Sequence, residues 1–155
     1  MITIRPGEKR DIPAALSLIQ ELADYEKAPQ EVETTVASME EDAFGERPFF
    51  EFLVAELDGE VVGIAVYFFS YSTWKGRAMY LDDLVVRASK RRLGIGKLLF
   101  DGLVARSKAI GAKRLSWQVL DWNEPAIKFY EKINAELDPE WINCRFSKEG
   151  LKNYK

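Results

Sequence analysis

Arg91-Arg92-Leu93-Gly94-Ile95-Gly96-Lys97 is the stretch that decides the architecture. An apolar run, Ala78 to Val86, precedes it and reads as a strand. Lys97 to Ile110 follows with helical spacing, and Gly111 is placed to end that helix in a left-handed conformation. Two glycines let the chain bend so that successive main-chain N–H groups converge. The helix start adds partial positive charge, and Arg91, Arg92 and Lys97 add full charges. The stretch is therefore a strand-to-helix turn suited to a pyrophosphate. Two phosphate-binding patterns do not fit it. A dinucleotide fingerprint needs a third glycine where Leu99 stands, and a Walker loop needs Ser or Thr where Leu98 stands. The competing reading is a plain glycine-rich turn with surface bases, which the preceding strand and following helix weaken.

Outward from this turn, the periodicity changes along the chain. Ile2 to Arg5 reads as a short strand. Asp11 stands where a helix cap belongs, with Pro13 in the first turn. Ile12, Ala15, Leu16, Ile19, Leu22 and Ala23 then form one apolar stripe ending near Tyr25. Thr34 or Thr35 opens a second helix, with Val36, Met39 and Ala43 on its apolar side and Gly45 as its stop. Phe50 to Leu57 and Val61 to Tyr71 read as strands joined at Asp58-Gly59, a two-residue hairpin signal. Trp74-Lys75-Gly76 turns the chain into the Ala78–Val86 strand. Beyond the central helix, Arg114 to Leu120 is a strand. Asn123 caps a helix running to Ile133, with Pro125 in its first turn, and Ile142 to Phe146 is a last strand. The expectation is one α/β domain over residues 1–155, an antiparallel meander followed by one βαβ crossover.

Composition narrows the chemistry. The chain has no histidine, which removes imidazole metal ligands, imidazole triads and imidazole bases together. Proton transfer falls to Asp, Glu, Tyr, Lys, the single Cys144 or water. One cysteine allows no intrachain disulfide. No run approaches the roughly 20 apolar residues that span a bilayer, and Met1 to Pro6 does not read as a signal peptide. A cytoplasmic protein without a membrane partner is expected. The net charge is −3, yet residues 21–60 hold 13 acids and 2 bases. An acidic first part suits a cationic partner and a basic remainder an anionic one. Lys90, Arg91, Arg92 and Lys97 could serve nucleic-acid binding, but the net acidity and the lack of an aromatic-rich basic stripe argue against it.

Two motifs carry a resemblance. Arg91 to Gly96 matches the R/Q-x-x-G-x-G/A signature of the GNAT acetyltransferases, and Asn123 to Tyr130 matches their N-x-x-A/S-x-x-F/Y-Y segment. Longer blocks resemble the diamine (spermidine/spermine) acetyltransferases within that superfamily. They are Ile4-Arg5-Pro6, Ile19 to Glu26, Phe44 to Phe49, Tyr80 to Leu84, and Trp122-Asn123-Glu124-Pro125. There are departures: Asp82 stands where the pattern has Glu, Ile133-Asn134-Ala135 replaces an Arg-Gly-Ala-like turn, and the Asp58-Gly59 connection is shorter.

The resemblance implies a GNAT-type fold, a mixed and mostly antiparallel sheet of about six to seven strands flanked by about four helices. It implies direct acetyl transfer from acetyl-CoA to a primary amine of a small cationic substrate, with no metal, and a homodimer. Polyamines, diamines and thialysine-like amines are the substrate class. An amino-acid, peptide or aminoglycoside amine is the alternative, and a non-catalytic acyl-CoA-binding regulator a further one. Leu84, Val85 and Val86 would hold the thioester and pantetheine through their main chain, where an N–H would stabilise the tetrahedral oxyanion. Arg91, Arg92, Leu93, Gly94, Ile95, Gly96 and Lys97 would bind the pyrophosphate. Asn123, Glu124, Pro125 and Ala126 would complete the cofactor site. Tyr25, Glu26, Asp82 and Glu140 would contact the amine. That amine arrives with a lysine-like pKa of about 10.4 and must lose a proton to attack. Asp82 is the candidate to relay it, directly or through water, and Tyr130 would protonate the departing thiolate. Asp83 is a weaker candidate base, because strand alternation points it away from Asp82.

Overall fold

A computed structural model describes all 155 residues. The chain falls into two compact units, Met1–Gln118 and Val119–Lys155. The first holds a five-stranded sheet in sequence order, β1 (Ile2–Pro6), β2 (Glu51–Leu57), β3 (Glu60–Ser72), β4 (Gly76–Val86) and β5 (Arg114–Ser116). Neighbours are antiparallel except β4 and β5, which run parallel across the crossover helix α3 (Ile95–Ala109). Helices α1 (Ile12–Tyr25) and α2 (Val36–Phe44) follow β1.

Each sheet face has its own helices. Val54, Ile64, Val66 and Val85 face one way and cluster with Ile12, Ala15 and Leu18 of α1 and Met39 of α2. The α1 stripe is as expected from the sequence, with Leu18 added at its centre. On the other face α3 lies close to β3, because Gly63 leaves it room. A Cβ there would stand 3.0 Å from Leu99 Cδ1 and 3.1 Å from the Val85 carbonyl oxygen.

Local signals behave largely as expected. Thr35 caps α2 by accepting from the Ser38 N–H at 3.1 Å. Asp58 and Gly59 both take positive φ, as a tight right-twisting hairpin requires. Gly111 closes α3 at φ +70°. Asp11 is different: its carboxylate does not cap α1. It is taken up by a two-point ion pair with Arg5 at 2.7 and 3.0 Å and by the Glu8 N–H at 2.8 Å. The Arg5 guanidinium holds it well below the usual carboxylate range.

The strand count is lower than expected, five, with five helices. β5 ends at Ser116 rather than Leu120. The second unit holds α4 (Glu124–Lys132) and a short α5 (Lys148–Asn153), capped by Ser147. Ile142 to Phe146, expected as a strand, forms none. Alternation makes a segment able to be a strand, but its main-chain groups also need a neighbour to pair with. None is paired with this segment, and Trp141, Ile142 and Phe146 stay exposed.

Candidate active site

The glycine turn is built as its sequence requires. After β4, a 3-10 turn (Ala88–Lys90) leads to Arg91 in extended conformation, Arg92 at φ +67° and Gly94 at φ +76°. Gly94 is the residue before α3 and offers no side-chain cap. The first main-chain bond of the helix is Leu98 N–H to the Gly94 carbonyl, at 3.1 Å. The N–H groups before it are those a helix start leaves open. Gly94 needs its left-handed backbone, whereas Gly96 does not have positive φ. A Cβ on Gly96 would meet only Val86 Cγ2, at an ordinary 3.8 Å. Nothing in the protein requires glycine at 96, so its bare face suits close approach of a ligand. The open N–H groups, this bare face and the exposed Arg92 together fit a pyrophosphate.

The other bases are partly engaged. Lys97 is paired with Asp101 one turn on, at 2.7 Å. Arg91 Nε donates to the Val86 carbonyl at 3.3 Å, and its guanidinium lies 5.3 Å from the centre of the Tyr25 ring. Tyr25, expected at the amine end, thus sits against the phosphate turn. Glu21, one helical turn earlier on α1, accepts the Ala88 N–H at 2.6 Å. Sequence reading had missed Glu21, for which only its position one turn before Tyr25 gives a hint.

The acids come together on β4 through a bulge. Tyr67 pairs with Leu81 and Val66 with Asp83, so Asp82 has no partner on β3. An extra residue in one strand shifts every later side chain to the opposite face. Asp83 therefore joins Val66 and Val85 on the α1 side of the sheet. The regular alternation expected to point Asp83 away from Asp82 is interrupted by this bulge. Asp83 is half-buried, and burial, followed by the charges of Asp82 and Glu26, pushes its pKa up to about 7. Asp82 is exposed at residue level, yet the loss of water around its carboxylate raises its pKa too. Burial does the same for Glu26, just past the end of α1. Tyr80 is raised by burial and by the Asp82 charge. The charges of Glu26 and Asp82 thus both bear on Asp83, and burial is the leading influence on all three acids.

Next to these acids β4 has an open edge. β5 pairs with Ala78, Met79 and Tyr80 and no further. Leu84, Val85 and Val86 follow on the stretch of β4 without a β5 partner and lead directly to the glycine turn. Their main-chain groups on that side make no ladder with β5.

In the second unit, Asn123 caps α4, its Oδ1 accepting from the Ala126 N–H at 3.4 Å. Glu124 and Pro125 open that helix. Tyr130 is buried, with its ring edge-on to Phe129 at 5.4 Å between centres, and its carbonyl accepts from the Ala135 N–H. Glu140 is exposed, and its N–H donates to Asp138 at 3.0 Å.

The raised Asp83 pKa has a consequence for stability. An unfolded aspartate titrates near 3.8, so between that value and about 7 the folded state binds the proton more tightly. Stability from this group is present at low pH and is lost as pH rises through 7. Asp83→Asn should therefore raise the urea midpoint at pH 8, with the gain shrinking toward zero below pH ~4. A midpoint difference independent of pH would contradict the assignment.

Residues 16–135 match the Acetyltransferase (GNAT) family. The chain is 38% identical over 162 residues to a thialysine N-epsilon-acetyltransferase of Bos taurus, covering 97% of this chain and 95% of that one. It is 34% identical to a human spermidine/spermine N(1)-acetyltransferase-like protein 1, over 96% of this chain and 23% of that longer one. Among solved structures, an integron cassette protein from the mobile metagenome of V. cholerae superposes with a TM-score of 0.80 at 26% identity, covering 97% of this chain and 95% of that one. With the turn, the bulged strand and the crossover helix in place, the chain belongs to the GNAT family and is an N-acetyltransferase.

Proposed function

We infer that this enzyme transfers acetyl from acetyl-CoA directly to a primary amine of a small cationic substrate: a polyamine, a diamine or a thialysine-like amine. The observation that carries the reading is the carboxylate group of Glu26, Asp82 and Asp83 beside the open edge of β4. Three acids without a cation attract an ammonium, and more than one acid favours a substrate with more than one charge. The relatives named for thialysine and spermidine/spermine support the same class. We read residues 1–155 as one catalytic domain, cytoplasmic and homodimeric.

Acetyl-CoA supplies an activated thioester, and the chain's residues do the rest. Arg91, Arg92 and the Gly94–Lys97 main chain bind the pyrophosphate, and Asn123, Glu124, Pro125 and Ala126 are assigned to acetyl-CoA from the family pattern. Leu84, Val85 and Val86 align the pantetheine arm. Asp82 and Asp83 bind the ammonium and take its proton directly or through one water. Asp83 titrates near 7, close to the working pH, where a base has both the ionised form and enough basicity to be effective. Tyr25, Glu26 and Glu140 were expected at the amine end. Glu26 keeps that role, Tyr25 steadies the phosphate turn, and Glu140 is assigned from the family pattern. Tyr130, the family-matched phenol, gives a proton to the departing sulfur.

A panel of amines offered with acetyl-CoA, followed by thiol release, tests the substrate class. Di- and polyamines should exceed a neutral-tailed monoamine of equal length, and the margin should shrink with added salt as screening takes hold. Equal efficiency on both would overturn the reading. Gly96→Ala tests the cofactor cradle: an added methyl in an early helical turn should stabilise the fold by roughly 0.4–1 kcal/mol, while acetyl-CoA affinity falls, as calorimetry would show. Tyr130→Phe should lower kcat by about 10²–10⁴-fold, with acetyl-CoA affinity and melting temperature near wild type. Near-normal turnover, with chemistry rate-limiting, would reduce Tyr130 to a packing residue.

A further inference from the structure

The phosphate turn is held from behind by α1. Glu21 and Tyr25 are four residues apart on that helix and so share one face. Tyr25 lies under the Arg91 guanidinium at 5.3 Å. Glu21 Oε1 accepts the Ala88 N–H at 2.6 Å, and its Oε2 stands 3.5 Å from Arg87 Nη1. Arg87 is itself fixed to β3, its N–H donating to the Val62 carbonyl at 2.9 Å. Its buried Nε makes no hydrogen bond, and the Glu60 carboxylate is 3.7 Å away. Glu21 is therefore the close acceptor at the point where the chain leaves β4 and enters the turn.

We propose that Glu21 is a positioning residue for acetyl-CoA: by holding Ala88 and Arg87 on α1, it sets the turn in the shape that receives the pyrophosphate. The inference rests on the cofactor reading above. The sign of its effect separates it from simple electrostatics. A carboxylate near a pyrophosphate repels it, so charge alone makes removal of Glu21 tighten binding. A positioning role makes removal weaken binding, because the turn loses the acceptor that fixes its first N–H.

The test compares Glu21→Ala and Glu21→Asp with wild type by calorimetric titration of acetyl-CoA. It adds steady-state kinetics with acetyl-CoA and with S-acetylpantetheine, a donor lacking the pyrophosphate. Glu21→Asp keeps the charge and is one methylene too short to reach Ala88. Both variants should raise the acetyl-CoA Kd about tenfold, with KM for acetyl-CoA rising more than kcat falls. The preference for acetyl-CoA over S-acetylpantetheine should shrink by the same factor. Circular dichroism melts show which variants are folded, and Glu21→Asp carries the test if the alanine variant does not fold. Unchanged or tighter binding in a folded variant would overturn the proposal, as would equal losses on the two donors, which would mark a general structural role. No acetyl-CoA binding by wild type would overturn the cofactor reading itself and this inference with it, whereas wild-type binding with unaffected variants would overturn only the role of Glu21.

Discussion

Asp82 has no partner on β3, and that unmatched residue changes which way the rest of β4 faces. Upstream of it, Leu81 and Met79 are buried on the α3 side, where the Met79 sulfur accepts from the Ser107 hydroxyl. Downstream, Asp83 and Val85 face α1. Without the bulge, Asp83 would turn toward α3 and the carboxylate group would contain only Asp82 and Glu26. With it, Asp83 joins the α1 side, and beyond Tyr80 the strand runs on to the glycine turn with a main-chain edge that β5 does not cover. The bulge thus turns Asp83 and Val85 toward α1, and the short β5 leaves the rest of β4 uncovered.

On the proposed function, the two ends of the site have opposite electrostatic tasks and are kept apart by the strand between them. The phosphate end relies on main-chain N–H groups of a helix start, reinforced by Arg91 and Arg92. Lys97 contributes less than its full charge there, because Asp101 shares it. The amine end would rely on the acids Glu26, Asp82 and Asp83. α3 can serve the first end because Gly63 lets it lie directly on the sheet, which places its first turn at the end of β4. α1 serves both, with Glu21 and Tyr25 turned to the phosphate side and Glu26 to the acids.

Much of this was legible in the sequence where local chemistry decides. The glycine turn, the Asp58-Gly59 hairpin, the Thr35 and Asn123 caps and the α1 stripe follow from short-range preferences. What was not legible depends on partners far along the chain. A bulge leaves no mark in one strand's own alternation, so the face that Asp83 takes could not be read from β4 alone. Asp11 has the residue type of a cap, but Arg5 on β1 competes for its carboxylate and wins with two hydrogen bonds. Ile142 to Phe146 has a strand's alternation without a neighbour to pair with. Glu21 looks like one more helix-surface acid until the fold brings Ala88 to it across 67 positions.

The crowding of Glu26, Asp82 and Asp83 also ties substrate uptake to the solvent. Burial and the neighbouring acid charges push Asp83 up to about 7, so near neutral pH the group readily takes up a proton. That proton takes the place of a cation. On the proposed function, an ammonium group bound there would supply the missing charge, lower the affinity for the proton and send it into the buffer. The heat of amine binding would then depend on the ionisation enthalpy of the buffer chosen. The enzyme would exchange one positive charge for another before any bond to acetyl is made.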